Sequence, residues 1–86
     1  MEETKERHRR YLRAIENPQR RDILALLEQG DATLETLSEA TGMDERTLKW
    51  HMDFLEYGYC VVRKIDDGKV FYSITDEGRV VDYLGE

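Results

Sequence analysis

Eighty-six residues leave room for one small domain, expected over 1–86. With 40% hydrophobic and 37% charged side chains, the chain has enough apolar surface for a core, which excludes a disordered acidic tail. Cys60 is the only cysteine, which excludes a disulfide framework and a cysteine zinc cluster, and no apolar run approaches the ~20 residues of a membrane span. Residues Met1 to Arg7 lack the apolar run of a signal peptide, so a soluble, cytoplasmic protein is expected. A domain this short buries only about 60% of its unfolded surface, so size alone favours support from a second copy.

Thirteen basic against nineteen acidic residues leave a net charge of −6, which on average repels nucleic acid. The charge is unevenly spread. Between Lys5 and Arg21 stand seven basic residues against Glu6 and Glu16, whereas Asp22 to Glu45 holds seven acids and no base.

In chain order, Tyr11, Leu12 and Ile15 share one helical face within residues 4–16. Asn17-Pro18 then punctuates: Asn caps well and Pro is tolerated at the first helical position, so a second helix starts here. It carries Ile23, Leu24, Leu26 and Leu27 and stops at Gly30-Asp31. Thr33 is suited to cap a third helix bearing Leu34, Leu37 and Ala40, ending at Gly42 in a left-handed turn. Asp44 caps a fourth, with Glu45 in its first turn, a buried stripe of Leu48, Met52 and Leu55, and Gly58 at its end.

The period then changes. Residues 60–65 and 70–74 are β-rich runs around Asp66-Asp67-Gly68-Lys69, and Asp-Gly between such runs is a strong hairpin signal. Thr75 is placed to cap a last helix with Val80, Val81, Tyr83 and Leu84. Four helices, a hairpin and a final helix describe a mainly α fold with a small β-hairpin wing, the winged helix-turn-helix.

Four segments carry a family resemblance. Asn17-Pro18-Gln19-Arg20-Arg21-Asp22-Ile23-Leu24-Ala25-Leu26-Leu27 resembles the opening of ArsR-type winged helix-turn-helix regulators. Residues 34–43 look like that family's first helix-turn-helix helix and turn. Residues 47–59 are similar to its recognition helix, including the His before an apolar residue, and 70–78 to its return wing strand. The resemblance covers about residues 15–84 and implies a DNA-binding regulator that dimerises through its first and last helices. Two departures stand out. Lys49-Trp50 replaces the family's usual Ser-Arg pair, and the paired cysteines of metal-sensing members are absent. One Cys with His8 and His51 is no ligand set for a thiophilic metal, so neither metal nor cofactor is expected.

At roughly 100° per residue, Leu48, His51, Met52 and Leu55 face inward while Arg46, Lys49 and Asp53 point away, with Thr47 and Trp50 on a flank. The N-terminal half of a helix about 44–57 would meet base edges in the major groove, Arg46 bidentate on guanine, Lys49 on guanine or phosphate, Thr47 on phosphate or a thymine methyl. Trp50 has three possible places: on DNA, over a dimer seam, or across its own domain's rim beside Phe54. In the wing, about 60–74, Arg63, Lys64 and Lys69 flank an acidic tip and are suited to phosphates. Tyr11, Leu12 and Ile15 with Val80, Val81, Tyr83 and Leu84 offer the apolar surface of a dimer seam. The basic residues of the first helix either follow DNA or pair with a second subunit. Cys60 reads as a small buried hydrophobe.

No nucleophile triad, phosphate-cradling loop or carboxylate pair in a cleft is visible, so no enzyme is expected. The expected function is a homodimeric regulator of transcription on double-stranded DNA, away from membranes. The competing reading is a winged-helix protein–protein interaction module, favoured by the two bases against four acids over residues 44–58.

Overall fold

The computed structural model describes residues 2–80, and the side chains of residues 5–80. Five helices and one hairpin follow in the order α1 (Glu2–Ile15), α2 (Pro18–Leu27), α3 (Leu34–Thr41), α4 (Glu45–Tyr57), β1 (Val61–Asp66), β2 (Lys69–Ile74) and α5 (Asp76–Arg79). This is the winged helix-turn-helix arrangement, with α3 and α4 as the helix pair and the hairpin as the wing. Val81, Tyr83 and Leu84, expected on the last helix, lie outside the described residues.

Each expected cap forms. Asn17 accepts from the Gln19 amide at 2.8 Å, Thr33 from Thr36 at 3.1 Å, Asp44 from Thr47 at 2.6 Å and Thr75 from Gly78 at 3.1 Å. These side chains satisfy amides that the first turn of a helix leaves without a partner. Gly42 ends α3 with φ 78°, as its left-handed turn requires. α2 closes at Leu27, three residues before the expected stop, and the chain reaches Gly30 through tightened i to i+3 bonds.

Apolar faces of α1 to α4 and the base of the wing meet in one cluster. Ile23, Leu24, Leu27, Leu37, Leu48, Met52 and Leu55 are fully buried, with Ala14, Cys60, Val61 and Tyr72 beside them. Tyr11 and Ile15 turn into this cluster as well.

The wing is a two-residue hairpin. Asp67 (φ 52°) and Gly68 (φ 77°) are both left-handed, the geometry that matches strand twist. The ladder pairs Asp66 with Lys69 and runs to Val61 opposite Ile74. Ala32 adds a single bridge to Tyr72, its amide donating at 3.1 Å and its carbonyl accepting at 2.7 Å. One residue of pairing has no periodicity, so this tie between the α2–α3 loop and the wing is invisible in sequence.

Gly58 closes α4 as expected, and the chain turns at the residue after it. Gly58 has an ordinary φ of −89°, and the left-handed residue is Tyr59 at 66°. Gly58 is required for space instead: an added Cβ would lie 2.6 Å from Ala14 Cβ and 2.8 Å from the Arg10 carbonyl. A left-handed Tyr costs about 1–2 kcal/mol. Its ring is held beneath the Arg7 guanidinium at 3.8 Å, and its hydroxyl accepts from Arg10 at 3.2 Å.

Candidate nucleic-acid interface

α4 sorts its side chains as a helix seated against a domain must. Leu48, His51, Met52 and Leu55 are buried. Arg46 and Thr47 are exposed, Lys49 is half-buried, and Trp50 is 54% exposed. The last four, with Asp53, line one shallow hollow on the outer face of the helix. At its N-terminus the Asp44 carboxyl accepts from Thr47, which holds it below the usual carboxylate range.

Trp50 packs edge-on to Phe54 at 5.0 Å and to His51 at 5.0 Å, and the Arg20 guanidinium lies 5.3 Å from its ring. Of the three places considered for it, the structure gives the rim of its own domain, with half the indole still open to solvent.

Beneath Trp50 lies an unforeseen residue. Arg20 is 4% exposed. Its guanidinium sits 4.0 Å over Phe54, Nε donates to His51 Nδ1 at 3.2 Å, and Nη1 donates to the Arg13 carbonyl at 3.0 Å. His51 Nδ1 is therefore an acceptor, and the imidazole is neutral. Burial, then the neighbouring Arg20 charge, pushes the His51 pKa down. Arg20 thus docks α4 on α2 while capping α1.

Most of the basic N-terminal segment is likewise occupied inside the domain. Arg21 donates to the Ile15 and Glu16 carbonyls at 2.8 and 3.2 Å, satisfying the end of α1. Arg7 reaches Glu77 from its Nε at 3.1 Å, and Arg10 pairs with Glu6 at 3.2 Å and lies over the Tyr57 ring. Arg7 and Arg10, two of the first-helix cations, bond within the chain, as do Arg20 and Arg21 of α2, and the four tie helices together.

On the wing, residues 62–70 are all exposed. Arg63 bonds to Glu56 of α4 at 3.0 Å, and Lys49 bonds to Asp53 at 2.6 Å. Among the described residues Arg46, Lys64 and Lys69 have no ion pair. Of the five cations expected to meet DNA, Lys49 and Arg63 are thus paired within the chain.

Of the residues expected at a dimer seam, Tyr11 and Ile15 are 9% and 7% exposed and belong to the monomer's own core. They alternate with Leu12, which points outward, because Tyr11, Ala14 and Ile15 occupy the inner face of α1. Leu12 and Val80 are each 45% exposed. Cys60 is fully buried, and burial pushes its thiol up to about 12, so it is a packing residue and not a reactive one.

No protein-family model matches the sequence, and no curated protein matches it. Solved structures do. The homodimeric winged helix-turn-helix DNA-binding domain of a possible ArsR-family transcriptional regulator from Mycobacterium bovis superposes with a TM-score of 0.85 and 28% identity, over 93% of this chain and 76% of that one. HlyU from Vibrio cholerae gives 0.80 and 23%, over 98% and 94%. NolR from Sinorhizobium fredii gives 0.81 and 24%, over 98% and 86%.

Proposed function

We propose that this chain, ArsR-like in its winged helix-turn-helix fold, is a DNA-binding regulator of transcription that acts as a homodimer and not as an enzyme. One observation carries the reading: Arg46, Thr47, Lys49 and Trp50 share one outward hollow on the second helix of the helix-turn-helix. The same fold serves DNA binding in the homodimeric Mycobacterium bovis domain. In this reading α4 enters the major groove, Arg46 takes a guanine edge, and Thr47, Lys49 and Trp50 lie against the neighbouring edges and backbone. Arg63, Lys64 and Lys69 hold phosphates on the flanking backbone. Leu12 and Val80, with Val81, Tyr83 and Leu84, form the seam, and Tyr11 and Ile15 support it from beneath. A two-fold dimer sets its recognition helices about 34–36 Å apart, one turn of DNA.

Selection from a random duplex pool, followed by fluorescence anisotropy, tests the reading. Arg46→Ala should weaken the selected site about tenfold and relax the base preference at one position per half-site. Lys64→Ala and Lys69→Ala should each weaken all duplexes alike and reduce the log–log salt slope by about 0.9. The interaction-module reading is favoured by the excess of acids along residues 44–58. It prevails if a folded dimer, verified by sedimentation, binds no duplex at ~50 mM salt.

A further inference from the structure

Four charged side chains meet in the angle between the recognition helix and the wing. Lys49 Nζ lies 2.6 Å from Asp53 Oδ1, one turn along α4. Arg63 Nε lies 3.0 Å from Glu56 Oε2, across the step from β1 to α4. Arg63 stands opposite Tyr72 in the ladder, and the Tyr72 hydroxyl feels the charge of all four groups. The two pairs therefore sit side by side around one ring, where the two elements proposed to touch DNA come together. Two cations and two carboxylates leave that angle neutral.

We propose that Asp53 and Glu56 are internal competitors for DNA phosphate, and so further determinants of how weakly the chain holds non-specific duplex. This inference rests on the DNA-binding reading above. A carboxylate and a phosphate accept the same N–H donors. Both pairs are solvent-exposed, with Asp53 57% and Glu56 33% exposed, so they are screened and readily exchanged. Docking of a duplex transfers Lys49 and Arg63 from carboxylate to phosphate. The freed carboxylates then face a polyanion, and either repel it or recapture cations that the DNA has released. Either result lowers affinity, and recapture also flattens the salt dependence below the number of phosphate contacts. Non-specific binding is electrostatic throughout, so it bears this cost without base contacts to offset it. Arg46, Lys64 and Lys69 form no such ion pair among the described residues. Of these five cations, the two bonded directly to a carboxylate both lie in the angle between helix and wing.

The test uses the full chain and a random-sequence duplex, with anisotropy measured across a salt series. Asp53→Asn and Glu56→Gln are near-isosteric and outside the core, and circular dichroism checks their fold. Each should bind about threefold tighter and steepen the log–log slope by up to ~0.9. In a Lys49→Met background, Asp53→Asn should give a smaller gain, because only the carboxylate's repulsion of the duplex is then removed and no cation is released. Wild-type affinity and slope in both carboxylate variants would overturn the competitor role. So would a gain of undiminished size beside Lys49→Met, since a general field effect would then explain all of it. A wild-type chain that binds no duplex overturns the DNA-binding reading, and this inference with it. Binding by the wild type with unmoved variants overturns only the inference.

Discussion

Gly58→Ala should destabilise the domain by about 3 kcal/mol, at the upper end of the usual cost of overpacking. The backbone there is ordinary, so alanine meets no conformational objection. The cost is steric. Its Cβ would press on Ala14 Cβ at 2.6 Å and on the Arg10 and Phe54 carbonyls at 2.8 and 3.3 Å. Two of the three neighbours are backbone, and the third is a Cβ fixed to α1, so no flexible side chain can give way. α1 and α4 must separate, and α4 moves off its seat. A domain of this size loses about 4–8 °C of melting temperature per kcal/mol, so a fall beyond 10 °C is expected. Gly42→Ala is the contrast. Its Cβ meets nothing within 4 Å, and only the left-handed φ of 78° opposes it, a cost of about 1 kcal/mol. Urea unfolding of both variants checks the pair. A Gly58→Ala midpoint no lower than that of Gly42→Ala would show that α1 does not fix the position of α4.

The elements were legible because their signals are local. Asn17, Thr33, Asp44 and Thr75 are caps by side-chain chemistry alone, and Asp67-Gly68 is a hairpin turn by its backbone freedom. The outward set Arg46, Thr47, Lys49 and Trp50 follows from helical periodicity, given which face the leucines bury. What escaped was tertiary. Arg20 counted as one charge in a basic run, yet it lies 3, 4 and 7 residues from Ile23, Leu24 and Leu27, on the buried face of α2. That spacing was the available signal, outweighed by the ordinary exposure of arginine. The partners of Lys49 and Arg63 are one case of each kind. Lys49 with Asp53 is an i, i+4 pair that sequence spacing offers. Arg63 with Glu56 needs the wing folded back on α4. Gly58 ends α4 as expected, but its close approach to α1 is not legible, because that requires knowing what lies opposite.

Lowering the pH below about 6.5 should weaken the fold through His51, and the effect is expected to report on the seat of α4. In the unfolded chain this imidazole titrates at its ordinary value, ~6.5. In the folded chain burial, then the Arg20 charge, holds its pKa lower. Above the ordinary value both states are neutral and the full stability is present. As the pH falls through that value the unfolded chain takes up a proton that the folded chain refuses, so stability declines until the depressed folded pKa is passed. Proton entry into the folded state removes the acceptor of the Arg20 Nε bond and sets two cations 3.2 Å apart inside the protein. His51→Asn keeps an acceptor near the Nδ1 position and cannot titrate, so it should remove the His51 contribution to the slope of stability below about pH 6.5. His51→Ala should cost about 3 kcal/mol at neutral pH, since it opens a cavity and leaves a buried guanidinium donor unpaired. Urea unfolding at several pH values separates the variants. An Asn variant with the slope of the wild type would assign the acid sensitivity to other groups and leave the Arg20–His51 bond a purely structural contact.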